Sequence, residues 1–313
     1  MIAWAQVLAA ASGTLLIGCS AAPPDAAATT PEAALDTGTV QAPPPPPASP
    51  LPSGFNFPAS GDTTTPPPAK ATPAPAAATP TGRGLWVTAG TKLLHLTSTA
   101  PAKVDAHDVA GLAAGEQLVG LDFRKNGALY AVGTTSRLFS LATSTATATA
   151  ISFAPFAEPL DGTAFGFGFD PISDLARVAS NTAENIRVEA ETGTVTNVDG
   201  PLHYAGGDAN VDAVPRVTAL AYAADGTGYA LDAQTASLVR IVDSYSGQLR
   251  TVGPMGVTVT AIGGFDIAGT DAFAALRVGA VTSLYAVDLA TGKVVSMGTL
   301  GDGGPVTGLA IEP

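Results

Sequence analysis

From Arg83 to the C-terminus, short apolar runs alternate with turns rich in Gly, Asp, Asn and Thr. The runs are about four to eight residues long, the length and pattern of β-strands. None of them shows the 3.6-residue apolar stripe of an amphipathic helix. The pattern therefore predicts an all-β domain over residues 83–313.

The apolar runs recur as a repeat of four strands. The first strands of five successive units are predicted at 119–123, 166–170, 219–222, 263–267 and 307–311. The second strands are predicted at 128–133, 175–180, 227–232 and 271–278, the third at 137–142, 185–190, 237–242 and 283–289, and the fourth at 192–198, 246–253 and 291–298. Residues 122, 170, 221, 266 and 310, aligned as equivalent, lie 48, 51, 45 and 44 residues apart. This period is typical of β-propeller blades.

The two ends of the domain complete each other. The fifth unit stops at Pro313 after one strand, and strands at 84–88, 92–97 and 102–109 open the domain without a first strand. We therefore predict a five-bladed β-propeller in which the C-terminal strand closes the ring and removes a free sheet edge. A β-sandwich and an open solenoid are the alternative folds.

The N-terminal residues have a different character. Residues 1–18 are apolar and short for a transmembrane helix, and they are typical of a secretory signal. The sequence Leu16-Ile17-Gly18-Cys19 resembles the lipobox of bacterial lipoproteins, which implies that Cys19, the only cysteine, is lipidated. By the same resemblance, Ser20 favours the outer membrane. The alternative is a plain signal with an incidental cysteine.

Residues 19–82 are predicted to be a disordered tether after the lipidated cysteine. They contain 17 of the 26 prolines, set in Ala, Thr and Ser. Proline fixes φ and lacks an amide donor, so neither helix nor sheet propagates. We expect this segment to hold the domain away from the membrane. The apolar island Phe55-Asn56-Phe57 is either a docking motif or a chance feature.

The charge balance argues against nucleic acid as a partner. The chain has 14 Lys and Arg, and its formal net charge is −12. Phosphate binding requires a basic patch.

Residues 165–193 resemble a bacterial family known as domain of unknown function 4394. The shared motif residues are Phe169, Asp170, Asp174, Arg177, Val178, Asn185, Arg187, Thr192 and Gly193. Further matches fall at 204–217, 264–267, 284–292 and 306–310. The resemblance covers nearly all of 83–313 and implies a propeller-like fold, but the family's name implies no activity.

Three groups of polar residues are candidate contacts for a ligand or cation. Asp122, Asp170 and Asp266 are predicted to share one repeat position near the central channel, where they would bind a cation or cationic ligand or, alternatively, cap turn amides.

The second group has acids at alternate positions: Asp208, Asn210 and Asp212. A loop of this kind would bind calcium, the one possible cofactor, although the spacing fails the EF-hand pattern. The alternative is a turn capped by its own side chains.

The third group is Arg177 and Arg187 with Asp170, Asp174 and Asn185. It would hold an anionic ligand or form an internal ion-pair network.

Catalytic motifs with recognisable spacing do not occur in the sequence, so no catalytic residue is predicted. We expect a lipid-anchored envelope module that binds a protein or polysaccharide, rather than an enzyme. The alternative is a secreted hydrolase or lyase that acts on glycans with paired carboxylates of raised pKa.

Overall fold

The computed structural model describes residues 82–313, in which the chain forms 21 β-strands. Blade 1 contains β1 (Gly84–Ala89), β2 (Lys92–Thr97) and β3 (Asp105–Asp108). Blade 2 contains β4 (Leu118–Phe123), β5 (Leu129–Gly133), β6 (Arg137–Ala142) and β7 (Thr147–Ala150). Blade 3 contains β8 (Phe165–Phe169), β9 (Leu175–Ser180), β10 (Asn185–Glu189) and β11 (Val195–Val198).

The remaining strands form two further blades and the closing strand. Blade 4 contains β12 (His203–Tyr204), β13 (Val217–Tyr222), β14 (Gly228–Asp232), β15 (Ser237–Asp243) and β16 (Gln248–Pro254). Blade 5 contains β17 (Ala261–Ala268), β18 (Asp271–Val278), β19 (Val281–Val287) and β20 (Val294–Thr299), and β21 (Gly308–Ile311) follows. Consecutive strands within a blade pair antiparallel, except that β12 pairs in parallel with the outer strand β16 and does not pair with β13. The predicted five-bladed propeller is therefore confirmed.

The C-terminal strand closes the ring as predicted. β21 pairs antiparallel with β1, from Leu85 opposite Ile311 to Thr88 opposite Gly308, and so becomes the innermost strand of blade 1. β21 also packs against the innermost strands β17 and β4 of the two neighbouring blades. Side chains fasten this seam: the Trp86 Nε1–H donates to Glu312 over 2.9 Å, and Arg83 lies 3.2 Å from Asp271.

The hydrophobic core consists of five clusters, which lie mainly between neighbouring blades. Between blades 5 and 1, for example, Leu85, Phe273 and Leu309 pack together and are almost completely buried. Because each sheet packs against two neighbours, the apolar residues of both of its faces are buried. This arrangement explains why the second strands are nearly continuous apolar runs.

Two strands were not predicted from the sequence. β7 has the sequence TATA, and β12 is only two residues long. Neither carries an apolar alternation strong enough to be recognised. The predicted signal (1–18), the predicted lipidation site Cys19 and the predicted tether (19–82) lie outside the described residues, except Gly82.

Candidate functional site

The five innermost strands share a four-residue motif that builds the centre of the ring. A small residue comes first, then a large apolar residue, then a variable position, then a second large apolar residue. The motif occupies residues 120–123, 166–169, 219–222, 264–267 and 308–311. The small residue allows neighbouring blades to approach closely, since a Cβ on Gly264 would lie 2.5 Å from the Leu309 nitrogen.

The central channel is filled. Its remaining cavity measures about 10 Å³ and is lined by motif residues, among them Leu121, Phe167, Leu220, Phe265 and Leu309. A volume of that size holds about one water. The channel interior therefore has no room for a ligand.

Above the filled channel, a cavity of about 300 Å³ opens where the innermost strands end. We call this cavity the mouth. The last motif residue of every innermost strand lines it: Phe123, Phe169, Tyr222, Ile267 and Ile311. All five blades therefore border the mouth.

Two carboxylates at the variable motif position also line the mouth. Asp122 is 8% exposed and Asp266 is 7% exposed. Asp122 accepts hydrogen bonds from the amides of Phe123 (2.7 Å) and Phe169 (2.6 Å). Asp266 accepts from the amides of Ile267 (2.6 Å) and Ile311 (2.7 Å). Each carboxylate therefore bonds its own innermost strand and that of the next blade.

The reason for these bonds is the free edge of the innermost strands. Each innermost strand pairs with a sheet neighbour on one side only, so the amides on its other edge point away from the sheet. Buried amides need acceptors. Two carboxylates supply acceptors for four such amides at the mouth.

Burial changes the protonation of both acids. Burial raises the pKa of Asp266 to about 7, although its two amide bonds act in the opposite direction. Burial, and next the nearby charge of Asp266, raise the pKa of Asp122 well above its ordinary value. Desolvation therefore outweighs hydrogen bonding at both carboxylates.

The rim of the mouth carries an ion-pair cluster. Arg124 donates to both oxygens of Asp174 (3.1 and 2.7 Å) and also to Glu191. Lys125 lies 3.5 Å from the same Asp174 carboxylate. The hydrogen bond from Arg124 lowers the pKa of Asp174 and, in turn, raises the pKa of Arg124. This cluster joins blades 2 and 3 and leaves the Arg124 guanidinium engaged.

Asp170 does not share the repeat position of Asp122 and Asp266, contrary to the sequence alignment. β8 ends at Phe169, and the motif places Gly168 at the variable position. Asp170 lies two residues further on, where its carboxylate accepts from the Ile172 amide (2.9 Å) and the Ser173 hydroxyl (2.8 Å). Asp170 therefore caps the turn between β8 and β9.

Arg177 and Arg187 lie in a buried network around Asp199. Arg187 donates to both Asp199 oxygens at 2.8 Å, and Arg177 Nη1 lies 3.1 Å from the same carboxylate. Arg177 also bonds the Asn185 side chain and the Tyr222 hydroxyl, which belongs to blade 4. Of the two alternatives given for this group in the sequence analysis, this geometry matches the internal ion-pair network. Asp170 and Asp174 do not belong to the network, because they bond other residues.

The Asp208–Asp212 loop is fastened by its own side chains. Asp208 accepts from the amides of Asn210 (2.9 Å) and Thr251 (2.7 Å), and from the Thr251 hydroxyl. These bonds outweigh burial and lower the pKa of Asp208. Asn210 donates to the same hydroxyl, while Asp212 is exposed. The side chains of the loop therefore cap the turn and also bond it to Thr251 of β16.

Sequence reasoning missed the partners that complete these sites. Arg124 directly follows the motif of blade 2, and Asp199 follows β11. Both belong to pairs that are distant in sequence, so no local spacing signals them.

Within residues 82–313, no group of three or more His, Cys, Asp or Glu residues could hold a metal ion. The same residues contain no helix with the length and apolarity to span a membrane.

The family model "Domain of unknown function (DUF4394)" matches residues 92–310. The chain belongs to the DUF4394 family. The match includes strands of all five blades of this DUF4394 protein but assigns no chemistry to the mouth.

Solved structures show only distant similarity to this DUF4394 protein. A protein of unknown function from Bacteroides thetaiotaomicron is 13% identical, with a TM-score of 0.45, and the match covers 61% of this chain and 53% of that one. The present chain thus spans about half of that protein's length. A protein of unknown function from Bacteroides caccae is 13% identical over 74% of this chain and 99% of that one, with a TM-score of 0.40. No curated protein matches the chain.

Proposed function

We propose that this DUF4394 protein is a lipid-anchored bacterial envelope protein, held at the outer membrane, whose propeller is a binding module. The mouth is its ligand site. The observation that carries the ligand site is the concave, 300 Å³ opening bordered by all five blades and by two buried acids. A concave cavity that combines apolar side chains with charged groups of perturbed pKa is typical of ligand sites. The proposed occupant is an envelope polysaccharide or a segment of an envelope protein.

The anchor rests on the lipobox-like sequence that ends at Cys19 and on the proline-rich residues that follow it. The test is metabolic labelling of the full chain in a bacterium with an azide-bearing fatty acid. We expect the wild type to be labelled and the Cys19→Ser variant to be unlabelled. Absence of label on a wild-type protein that is exported would contradict the anchor.

A blocked mouth tests the ligand site. Ala224 is exposed and lines the mouth, so an Ala224→Trp side chain would fill the opening with little effect on the core. The matched control is Ala209→Trp, at an exposed position away from the mouth. We expect immobilised envelope polysaccharide to retain wild type and Ala209→Trp, and to retain Ala224→Trp at least about tenfold less. Equal retention of the two Trp variants would contradict the proposed site.

One observation favours an enzymatic alternative. A hydrolase or lyase that uses carboxylates requires acids of raised pKa in a concave site, and Asp122 and Asp266 meet that requirement. The filled channel counts against this alternative and restricts it to the mouth. Release of reducing ends from envelope glycans, abolished in a folded Asp266→Asn variant, would support it. If wild type releases none, the binding module stands.

A further inference from the structure

The bonds of Asp122 and Asp266 join different blades at the mouth. Asp122 connects β4 of blade 2 to β8 of blade 3, and Asp266 connects β17 of blade 5 to the closing strand β21. The other three innermost strands carry Gly168, Ala221 and Ala310 at the variable position, so they have no side chain that could replace these connections. We call the two acids and their four amide bonds the clamp.

Cations near the clamp are already engaged elsewhere. Arg124 bonds Asp174 and Glu191, Lys125 faces Asp174, and Arg83 pairs with Asp271. No cationic side chain of residues 82–313 lies within ion-pair distance of Asp122 or Asp266, although the charge of Arg83 acts weakly on Asp266.

The other titratable groups near the mouth do not neutralise the clamp either. They are Asp174, the Tyr222 hydroxyl, Asp170, which follows the bonded Phe169 and caps its own turn, and Glu312, which follows the bonded Ile311. Asp174 and Glu312 are acids and pair with Arg124 and His95, respectively. The Tyr222 hydroxyl accepts from Arg177.

Two buried acids that border one cavity and have no paired cation cannot both ionise without a large cost in free energy. Each charge loses its hydration, and the two charges repel each other in a medium of low dielectric constant. The low-energy state therefore keeps at least one proton on the clamp. Ionisation of both acids requires more water around the two carboxylates than their exposure of 8% and 7% allows, and this in turn requires the strand ends to separate.

We propose that Asp122 and Asp266 form a proton-dependent clamp that holds the mouth and the closing strand together and relaxes as the solution becomes alkaline. This inference does not depend on a ligand and goes beyond the proposed binding function. It concerns the conformation of the mouth before any ligand binds.

The direction of the pH effect follows from linkage. The pKa of both acids is raised by folding, so the folded chain binds these protons more tightly than the unfolded chain. Their contribution to stability is fully present below the ordinary carboxyl pKa of about 4. It is lost as the pH rises through the folded values, about 7 for Asp266. Acids with lowered pKa, such as Asp208, act in the opposite direction at lower pH.

The test is the melting temperature of the full-length protein from about pH 5 to about pH 8. We expect the wild-type value to fall over this range, and the fall to be smaller in Asp122→Asn and in Asp266→Asn, each of which removes one of the titrating acids. Asp208→Asn is the matched control, because Asp208 is also 8% exposed and also accepts backbone amides. It should keep the full wild-type fall. Equal falls in all four proteins would overturn the proposal.

A second measurement, on wild type alone, tests the proposal even if the Asn variants do not fold. Carbon-13 labelling of aspartate carboxyl groups in wild type gives the titration of each acid directly. We expect two carboxyl signals with midpoints well above the ordinary aspartate range, together with loss of protection of the Phe169 and Ile311 amides at higher pH. Titration of every aspartate below about pH 5 would overturn the proposal.

Discussion

At the residue scale, the ring depends on the size of the first motif residue. Gly120, Gly166, Gly264 and Gly308 all face neighbouring blades at distances that a Cβ would violate. Ala219 occupies the same position in blade 4, so the spacing there accommodates a methyl group. The propeller thus adjusts each blade contact to one side chain.

Gly264→Ala should therefore be strongly destabilising. Its Cβ would lie 2.5 Å from the Leu309 nitrogen, an atom of the closing strand that has no rotamer to change. We expect a loss of about 1–3 kcal/mol in the free energy of unfolding, measured by chemical denaturation. Gly206→Ala is the control, since its Cβ would meet no atom within 4 Å. Equal losses in both variants would contradict the close approach of blades 5 and 1.

Asp199 gives a second prediction at this scale. Asp199→Asn removes the charge that faces two buried guanidinium groups, so we expect a loss of about 3–5 kcal/mol in unfolding free energy. The exposed Asp212→Asn variant serves as the control and should unfold like wild type. A wild-type midpoint for Asp199→Asn would show that Arg177 and Arg187 do not depend on this carboxylate.

At the element scale, strands with strong apolar patterns could be predicted, but the position of a side chain within its repeat could not. The five repeat starts and the closing strand emerged from periodicity, because buried sheets impose it. In blade 3, the alignment of the repeats is wrong by two residues, because the sequence Phe169-Asp170 resembles Leu121-Asp122. β8 has Gly168 at the true position, and only the packing against Leu220 and Ala221 reveals it. The mouth itself could not be predicted, since it joins five strands that are distant in sequence.

The turn between β9 and β10 allows a pH prediction. Glu184 borders a cavity of about 220 Å³ with Glu158 and Asp161, and burial raises its pKa to about 7. The stability that its proton provides is present below the ordinary glutamate pKa and is lost as the pH rises through about 7. Glu184→Gln should therefore gain stability relative to wild type between about pH 5 and about pH 8, measured by urea denaturation. A constant difference across this range would contradict the raised pKa.

At the scale of the whole molecule, the described domain removes a free sheet edge by pairing its first strand with its last strand. The first described strand and the last one are neighbours in blade 1, and Glu312, Arg83 and Asp266 fasten the seam from three sides. Closure buries the faces of blades 5 and 1 that would otherwise be exposed. It also completes the mouth, to which β21 contributes Ile311.

Native-state hydrogen exchange of the full-length protein tests this closure most directly. The structure makes Gly308–Ile311 part of one cooperative ring, so we expect these amides to be protected to about the same degree as those of Leu118–Phe123. Fast exchange in Gly308–Ile311, alongside slow exchange in the other innermost strands, would show an open ring and contradict the account.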